Sequence, residues 1–352
     1  MAGHKPFALD SYRLLGNSGL RVSPFCLGTM TFGTKWGWGA DRDESRRQFD
    51  LYTERGGNFI DSANGYTDGE SEEIVGELIA RDRERFVVAT KFSFGTNREL
   101  KDPNRGGNHR KNMVQALDNS LKRLKTDYID LYWLHVWEYR APVEEVMRAV
   151  DDLVRAGKIL YFGFSDTPAW KVAQANTLAR TLGWTPAIAL QIEYSLIERT
   201  VERELTPMAR ELGLGVTPWG AIGGGVLTGK YLDKPEGESN RGAMNQARLT
   251  KRNQRIAAEV VRIANKLART PGQVALNWLL QQPGVTSPIL GARTAKQLED
   301  LLGTGDFLLE RRYVERLNKL SRIELGFPQS WAYNENVQSF IACDTEIEQR
   351  LP

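Results

Sequence analysis

What most limits the folds open to this 352-residue chain is its rhythm: short apolar runs alternate with longer amphipathic stretches along almost its whole length. The candidate strands are PFCLGTM (24–30), NFIDSA (58–63), FVVATKF (86–92), YIDLYWLHV (128–136), ILYFGF (159–164), AIALQIEYS (187–195), LGVTPW (214–219) and TSPILGA (286–292). Between them lie helix patterns such as SEEIVGELIARD, RKNMVQALDNSLKRLK, PVEEVMRAVDDLVRAGK and the long NQRIAAEVVRIANKLAR region. TAKQLEDLLG follows the last strand, and LERRYVERLNKLSRI adds a further helix toward the C-terminus. Gly56–Gly57, Gly157, Gly183 and Gly213 stand where these patterns stop and a left-handed cap is wanted. Eight strands, each followed by a helix, is the count of an α/β (β/α)8 TIM barrel. Arg13 to Ser23 reads as an N-terminal hairpin capping the barrel bottom. Alternation alone does not separate a closed barrel from a doubly wound open sheet. GTMTFG (28–33) does not match the G-x-G-x-x-G that a dinucleotide-binding open sheet carries after its first strand, which favours the barrel. Length alone admits two domains, but no shift of composition marks a linker, so residues 1–352 read as one domain.

Composition closes off other classes. Cys26 and Cys343, the only cysteines, make no disulfide framework and fit a reducing cytoplasm. Three histidines (His4, His109 and His135) give little basis for a His-rich metal site, and no metal is expected. A net charge of +3, scattered along the chain, is weak ground for nucleic-acid binding. Apolar runs fall far short of a membrane span, and MAGHKPFALDSYR lacks the apolar core of a signal peptide.

In a barrel of this kind chemistry sits at the C-terminal ends of the strands, so ionisable residues interrupting those ends carry the information. Asp61 ends the second run, Tyr66 follows in its loop, Lys91 ends the third and His135 the fourth. Each has an ordinary alternative: Asp61 as a helix cap, Lys91 as a solvated strand end, His135 as a hydrogen-bonded core residue, Tyr66 as a loop aromatic. Four in order on adjacent strands are harder to dismiss. A lysine ammonium lowers a nearby phenol's pKa, a carboxylate keeps that lysine charged, and a histidine orients a carbonyl or assists the relay. Such a set protonates a carbonyl oxygen while something else supplies hydride. Trp36, Trp38, Trp133 and Trp137 are candidate walls of a substrate pocket, with ordinary packing as the alternative.

From about Tyr12 to Gly326 the chain resembles the aldo-keto reductases, in the branch that also includes potassium-channel β-subunits and bacterial members. The resemblance rests on LGTMTFG (27–33), NFIDSANGYTDGESEEIVGELI (58–79), VATKF (88–92), SLKRLKTDYIDLYWLH (120–135), GKILYFGFSD (157–166), LQIEYSLIER (190–199), GVLTGKY (225–231) and PILGARTAKQLED (288–300). It implies a barrel that reduces aldehydes and ketones with NADPH, Tyr66 acting as general acid. Lys91 and Asp61 would lower the Tyr66 pKa, and His135 would orient the carbonyl. For the cofactor it implies Thr29, Met30 and Asp61 near the nicotinamide ribose, Ser165 and Gln191 on the carboxamide, and Trp219 stacked on the nicotinamide. The loop Gly220, Ala221, Ile222, Gly223 to Gly225 would face the pyrophosphate, with Lys230 and Arg241 adding positive charge there or at the adenosine. Gly291, Arg293 and Gln297, with the helix start near Thr294, would hold the 2′-phosphate.

The chain departs from the family pattern at three places. Asp166 stands where an Asn is usual and donates no hydrogen bond when ionised. The 220–223 loop replaces a Ser-Pro-Leu-Ala-like stretch. Leu301 replaces an Asn at the adenine edge and leaves Asp300 as the polar candidate, so NADH is the second cofactor to consider. Two other functions share these residues: a cofactor-sensing regulatory subunit of the channel type, and an alcohol or sugar dehydrogenase running the reaction in reverse. Retention of His135 beside Tyr66 and Lys91 favours catalysis over sensing. Substrate and oligomeric state are not written in the sequence, and the tail from 327 to 352 is open to either a fold-back over the site or a subunit contact.

Overall fold

The computed structural model describes residues 6–96, 98–232, 246–345 and 347. Strands β1 (Arg13–Leu14) and β2 (Arg21–Val22) form the antiparallel hairpin. Eight parallel strands follow: β3 (Cys26–Gly28), β4 (Phe59–Asp61), β5 (Val87–Phe92), β6 (Ile129–Leu134), β7 (Ile159–Ser165), β8 (Ala189–Glu193), β9 (Gly215–Trp219) and β10 (Ile289–Gly291). They lie in the order β10-β3-β4-β5-β6-β7-β8-β9, and a bridge between Val216 and Val285 carries β9 toward the segment leading into β10. The result is a nearly closed (β/α)8 barrel. Strands covered on both faces read as apolar runs, which is why most of them are visible in the sequence. All six residues of β5 and of β6 are buried.

The intervening helices are α1 (Arg42–Glu54), α2 (Glu70–Ile79), α3 (Arg110–Leu124), α4 (Val143–Arg155), α5 (Ala169–Leu182), α6 (Leu205–Leu212), α7 (Lys251–Leu267), α8 (Pro271–Leu280) and α9 (Ala295–Leu302). Gly183 and Gly213 cap α5 and α6 in the left-handed conformation, as expected from a glycine at C′. Helix α8 was not separated from α7 by periodicity. Its residues from Gly272 to Leu280 are all buried, so it has no polar face to mark a period. The signal present is its start: Thr270 and Gln273 form a capping box and Pro271 opens the helix.

Hairpin residues Leu15 and Val22 pack with Cys26, Phe59, Val87, Ala89, Leu131, Trp133 and Ala189 in one cluster that plugs the barrel interior. Gly16 makes the turn possible: a Cβ there would lie 2.3 Å from the Ile188 carbonyl oxygen, and its φ is +59°. C-terminal to α9 come α10 (Arg311–Ser321), α11 (Gln329–Ala332) and α12 (Glu335–Ala342). Neither α11 nor α12 buries a residue, and Gln329 Nε2 ties the tail to the Arg203 carbonyl at 3.3 Å, beside the start of α6. Among the described residues no helix is long and apolar enough to cross a membrane, and no cluster of His, Cys, Asp and Glu has the makings of a metal site.

Candidate active site

Parallel pairing sets the ends of β4, β5 and β6 side by side, with Asp61 opposite Ala89 and Lys91 opposite Trp133. Lys91 reaches inward with no exposed surface. Its ammonium donates to Asp61 Oδ2 at 2.5 Å, to the Ser62 carbonyl at 2.6 Å and to the Tyr66 hydroxyl at 3.0 Å. Those contacts use all three of its protons. The other Asp61 oxygen accepts Gln191 Nε2 at 3.0 Å, so β8 is stitched to the same carboxylate. Thr29 supports Asp61 from the side, donating to its carbonyl at 3.0 Å, with its own hydroxyl also against Ser71. Met30, next to it, is half-buried.

Burial works to neutralise Lys91, but the Asp61 carboxylate and Tyr66 outweigh it and hold the ammonium above its ordinary pKa. The Tyr66 phenol is raised in pKa and not lowered as its lysine neighbour predicts. Desolvation dominates and Asp61 adds to it, while Lys91 acts in the opposite sense without prevailing, so the phenol stays above its usual 10. Because the Tyr66 oxygen accepts from Lys91, its own proton is left to donate. His135 lies with its ring 5.9 Å from that of Tyr66, edge-on, and 4.6 Å from Phe94. Burial and the Lys91 charge keep its imidazole well below pKa 6.5, hence neutral. Its Nδ1 is buried without a hydrogen-bond partner among the described residues. Phe94, about half exposed, was not singled out in the sequence; the only hint was an aromatic three residues past Lys91.

The pocket tryptophans divide. Trp36 and Trp38 are half-buried on the loop after β3, ring centroids 5.7 Å apart, and can form a wall. Trp133 and Trp137 cannot. Trp133 is fully buried in the interior cluster beneath the strand ends, and Trp137 is 4% exposed in the outer core. Strand periodicity explains Trp133: two residues before His135 it shares the inward face but lies one layer lower.

Along the rest of the mouth, Ser165 and Gln191 pair in register at the ends of β7 and β8. Trp219, ending β9, donates its indole N–H to Asp166 Oδ1 at 3.1 Å. Gly220, Gly223, Gly224 and Gly225 all adopt left-handed φ, and the N–H groups of Gly223 and Gly225 close the turn on Gly220 and Ile222. Ala221 packs in the core and Ile222 lies half-buried against it. Lys230 is exposed, its ammonium 4.8 Å from the Tyr231 ring centroid. Arg241 lies outside the described residues.

At the end of the barrel near β10, Gly291 and Arg293 are exposed, and the Arg293 N–H donates to Gln297 Oε1 at 3.0 Å. The start of α9, expected to be free for a phosphate, is instead engaged: the Ala295 N–H donates to a carboxylate oxygen of Glu44. Asp300 is likewise committed, accepting from Thr270 Oγ1 at 3.0 Å and from the Gln273 side chain.

Residues 24–322 match the family model for the aldo/keto reductase family. A norsolorinic acid reductase of Aspergillus flavus is 33% identical over 368 residues, covering 99% of this chain and 93% of that protein. An aryl-alcohol dehydrogenase of Pestalotiopsis microspora is 35% identical over 92% of this chain and 85% of its own. An NADP(+) aryl-alcohol dehydrogenase of Phanerodontia chrysosporium is 34% identical over 93% and 90%.

Proposed function

Because this chain belongs to the aldo/keto reductase family, an enzyme family of oxidoreductases acting on carbonyls, we propose that it reduces an aldehyde or ketone to the alcohol, with NADPH as hydride donor and Tyr66 as proton donor. The observation that carries this is the Lys91 ammonium bound at once to Asp61, Ser62 and Tyr66. It fixes the phenol oxygen and leaves the phenol proton pointing away from the lysine. When bound, the nicotinamide supplies hydride to the carbonyl carbon. Tyr66 then moves its proton to the carbonyl oxygen, and Lys91 donates to the phenolate that remains. Neutral His135, its ring edge-on to that of Tyr66, would orient the carbonyl oxygen beside the phenol.

A nicotinamide end at the mouth is supported by the paired Ser165 and Gln191 and the half-exposed Trp219 ring, and a pyrophosphate beside it by the left-handed glycine turn. At Gly225 φ is +94°, a conformation that L side chains rarely adopt, so the turn favours glycine there. Thr29, Met30, Gly291, Arg293 and Gln297 would complete the cofactor's path. NADPH is favoured by Arg293 and by the NADP(+) in one relative's name, with NADH as the competitor because Glu44 and Asp300 bring negative charge near the ribose. The aromatic rim of Trp36, Trp38 and Phe94, together with relatives named for aryl alcohols, supports an aromatic carbonyl as substrate.

Replacing Tyr66 with Phe should leave NADPH binding within about two-fold and cut reduction of an aromatic aldehyde by roughly 10²–10⁴-fold, the usual share of general acid catalysis. Full activity in Tyr66→Phe overturns the assignment. Physiological alcohol oxidation uses the same residues in reverse, and the dehydrogenase names of two relatives favour it; comparing the rates of both directions at one pH decides. NADPH binding with silence across an aldehyde panel would point to the sensing role instead.

A further inference from the structure

Asp166 is the one acidic side chain hydrogen-bonded to the ring proposed to stack on the nicotinamide, and a charge there discriminates between the two oxidation states. The reduced nicotinamide ring is neutral, whereas the oxidised ring is a pyridinium with a full positive charge. We propose that the Asp166 carboxylate, fixed on Trp219, gives the barrel mouth a preference for the oxidised over the reduced cofactor. The proposal rests on the mouth being a nicotinamide site.

The carboxylate is held in place from several directions. The Asp166 N–H donates to the Gln191 carbonyl at 3.1 Å, and its own carbonyl accepts the Trp137 N–H at 3.4 Å. Between those two ties its φ is +37°, the left-handed region that Asp tolerates better than most residues and that structures retain where surrounding contacts impose it. From that backbone the side chain reaches across β8 to accept the Trp219 indole N–H at 3.1 Å. The charged and titratable groups around it are Glu193 on β8, Lys91 on β5 and Tyr66 in the loop after β4. Glu193 is itself paired with Arg248 at 2.6 Å, and Lys171 on α5 lies over the rings of Trp137 and Trp170. Lys91 is committed to Asp61 and Tyr66, so it does not pair with Asp166.

Partial desolvation of the carboxyl among the strand ends raises the Asp166 pKa to about 6, with the Trp219 hydrogen bond opposing the rise and Glu193 adding to it. A raised carboxyl pKa means that the charge is present above that value and lost as the pH falls through it. The preference for the oxidised cofactor is therefore full at pH 8 and weak at pH 5. Asp166 is exposed at the mouth, so solvent screens the effect, and a change of about three- to ten-fold in the affinity ratio is expected.

The test measures dissociation constants of NADP+ and NADPH for the full chain by titration calorimetry, at pH 8 and pH 5, for the wild type and Asp166→Asn. Asparagine has the same size, can still accept from Trp219 and tolerates the same backbone. The 2′-phosphate titrates alike in both cofactors and cancels in their ratio. In the wild type the ratio should shift toward NADPH by about three- to ten-fold on going to pH 5, and Asp166→Asn should show that low-pH ratio at both pH values. Equal ratios for the two proteins at pH 8, or an unchanged pH dependence in Asp166→Asn, overturn the proposal while leaving the site a cofactor site. Failure of the wild type to bind either cofactor overturns both.

Discussion

The floor of the mouth and its nucleotide-side rim are built in opposite ways. At the floor, Asp61, Lys91, Gln191 and Tyr66 come from four chain segments, and each polar contact serves the next. Lys91 is wholly buried, and its charge is balanced by a carboxylate whose other oxygen is also occupied. At the rim, Arg293 is exposed, and the groups that would meet a phosphate are turned to the protein's own acids and amides, Glu44 on the α9 start and Gln297 on the Arg293 N–H. The floor is an interior ion-pair network whose geometry water cannot loosen. The rim is more open to solvent, with Arg293 exposed and Glu44 partly so. On the proposed function, chemistry is fixed where desolvation enforces it, and cofactor choice would be set where a single side chain can shift the balance.

Breaking the floor should therefore cost far more than altering the rim. Lys91→Met strands Asp61 as a buried, unpaired carboxylate, and about 3–5 kcal/mol of stability should be lost in denaturant unfolding. Adding Asp61→Asn should return part of that loss, because the uncompensated charge is removed. A Lys91→Met protein as stable as the wild type would mean that the network is not closed as described. At the rim, Glu44→Gln removes an acid from the helix start. NADPH affinity should rise about two- to five-fold, the range of a helix-terminal charge, while NADH affinity changes less, both read by calorimetry. No difference between the cofactors would place the 2′-phosphate elsewhere. The smallest effect is expected at the aromatic wall: Phe94→Ala should raise KM for an aromatic aldehyde by about two- to ten-fold, with little change for a short aliphatic one. An equal change for both would make Phe94 a support for His135 and not a substrate contact.

Much of this contrast was readable in the chain. The strands appear as apolar runs because most of their residues are covered, and Asp61, Lys91 and His135 stand out because ionisable groups interrupt those runs at the ends. Trp133 misled because its place near the strand end suggests the mouth, while the two-residue period puts it a layer below His135. The Tyr66 pKa also misled: a lysine neighbour is visible in sequence, but the depth of burial that outweighs it is not. Contacts such as Glu44 with the Ala295 N–H, or Asp166 with Trp219, join residues far apart in the chain with no pattern linking them. They exist only once the barrel has closed and its strand ends lie side by side.

The central claim is that Tyr66 donates the proton from a desolvated site where it remains protonated. The most direct measurement is kcat/KM for NADPH-dependent reduction of an aromatic aldehyde across pH 6 to 11. The prediction is a plateau through neutral pH whose alkaline fall lies above the ordinary phenol value of 10 and is absent from the residual activity of Tyr66→Phe. A fall centred near pH 8, or the same alkaline limb persisting in Tyr66→Phe, would contradict it.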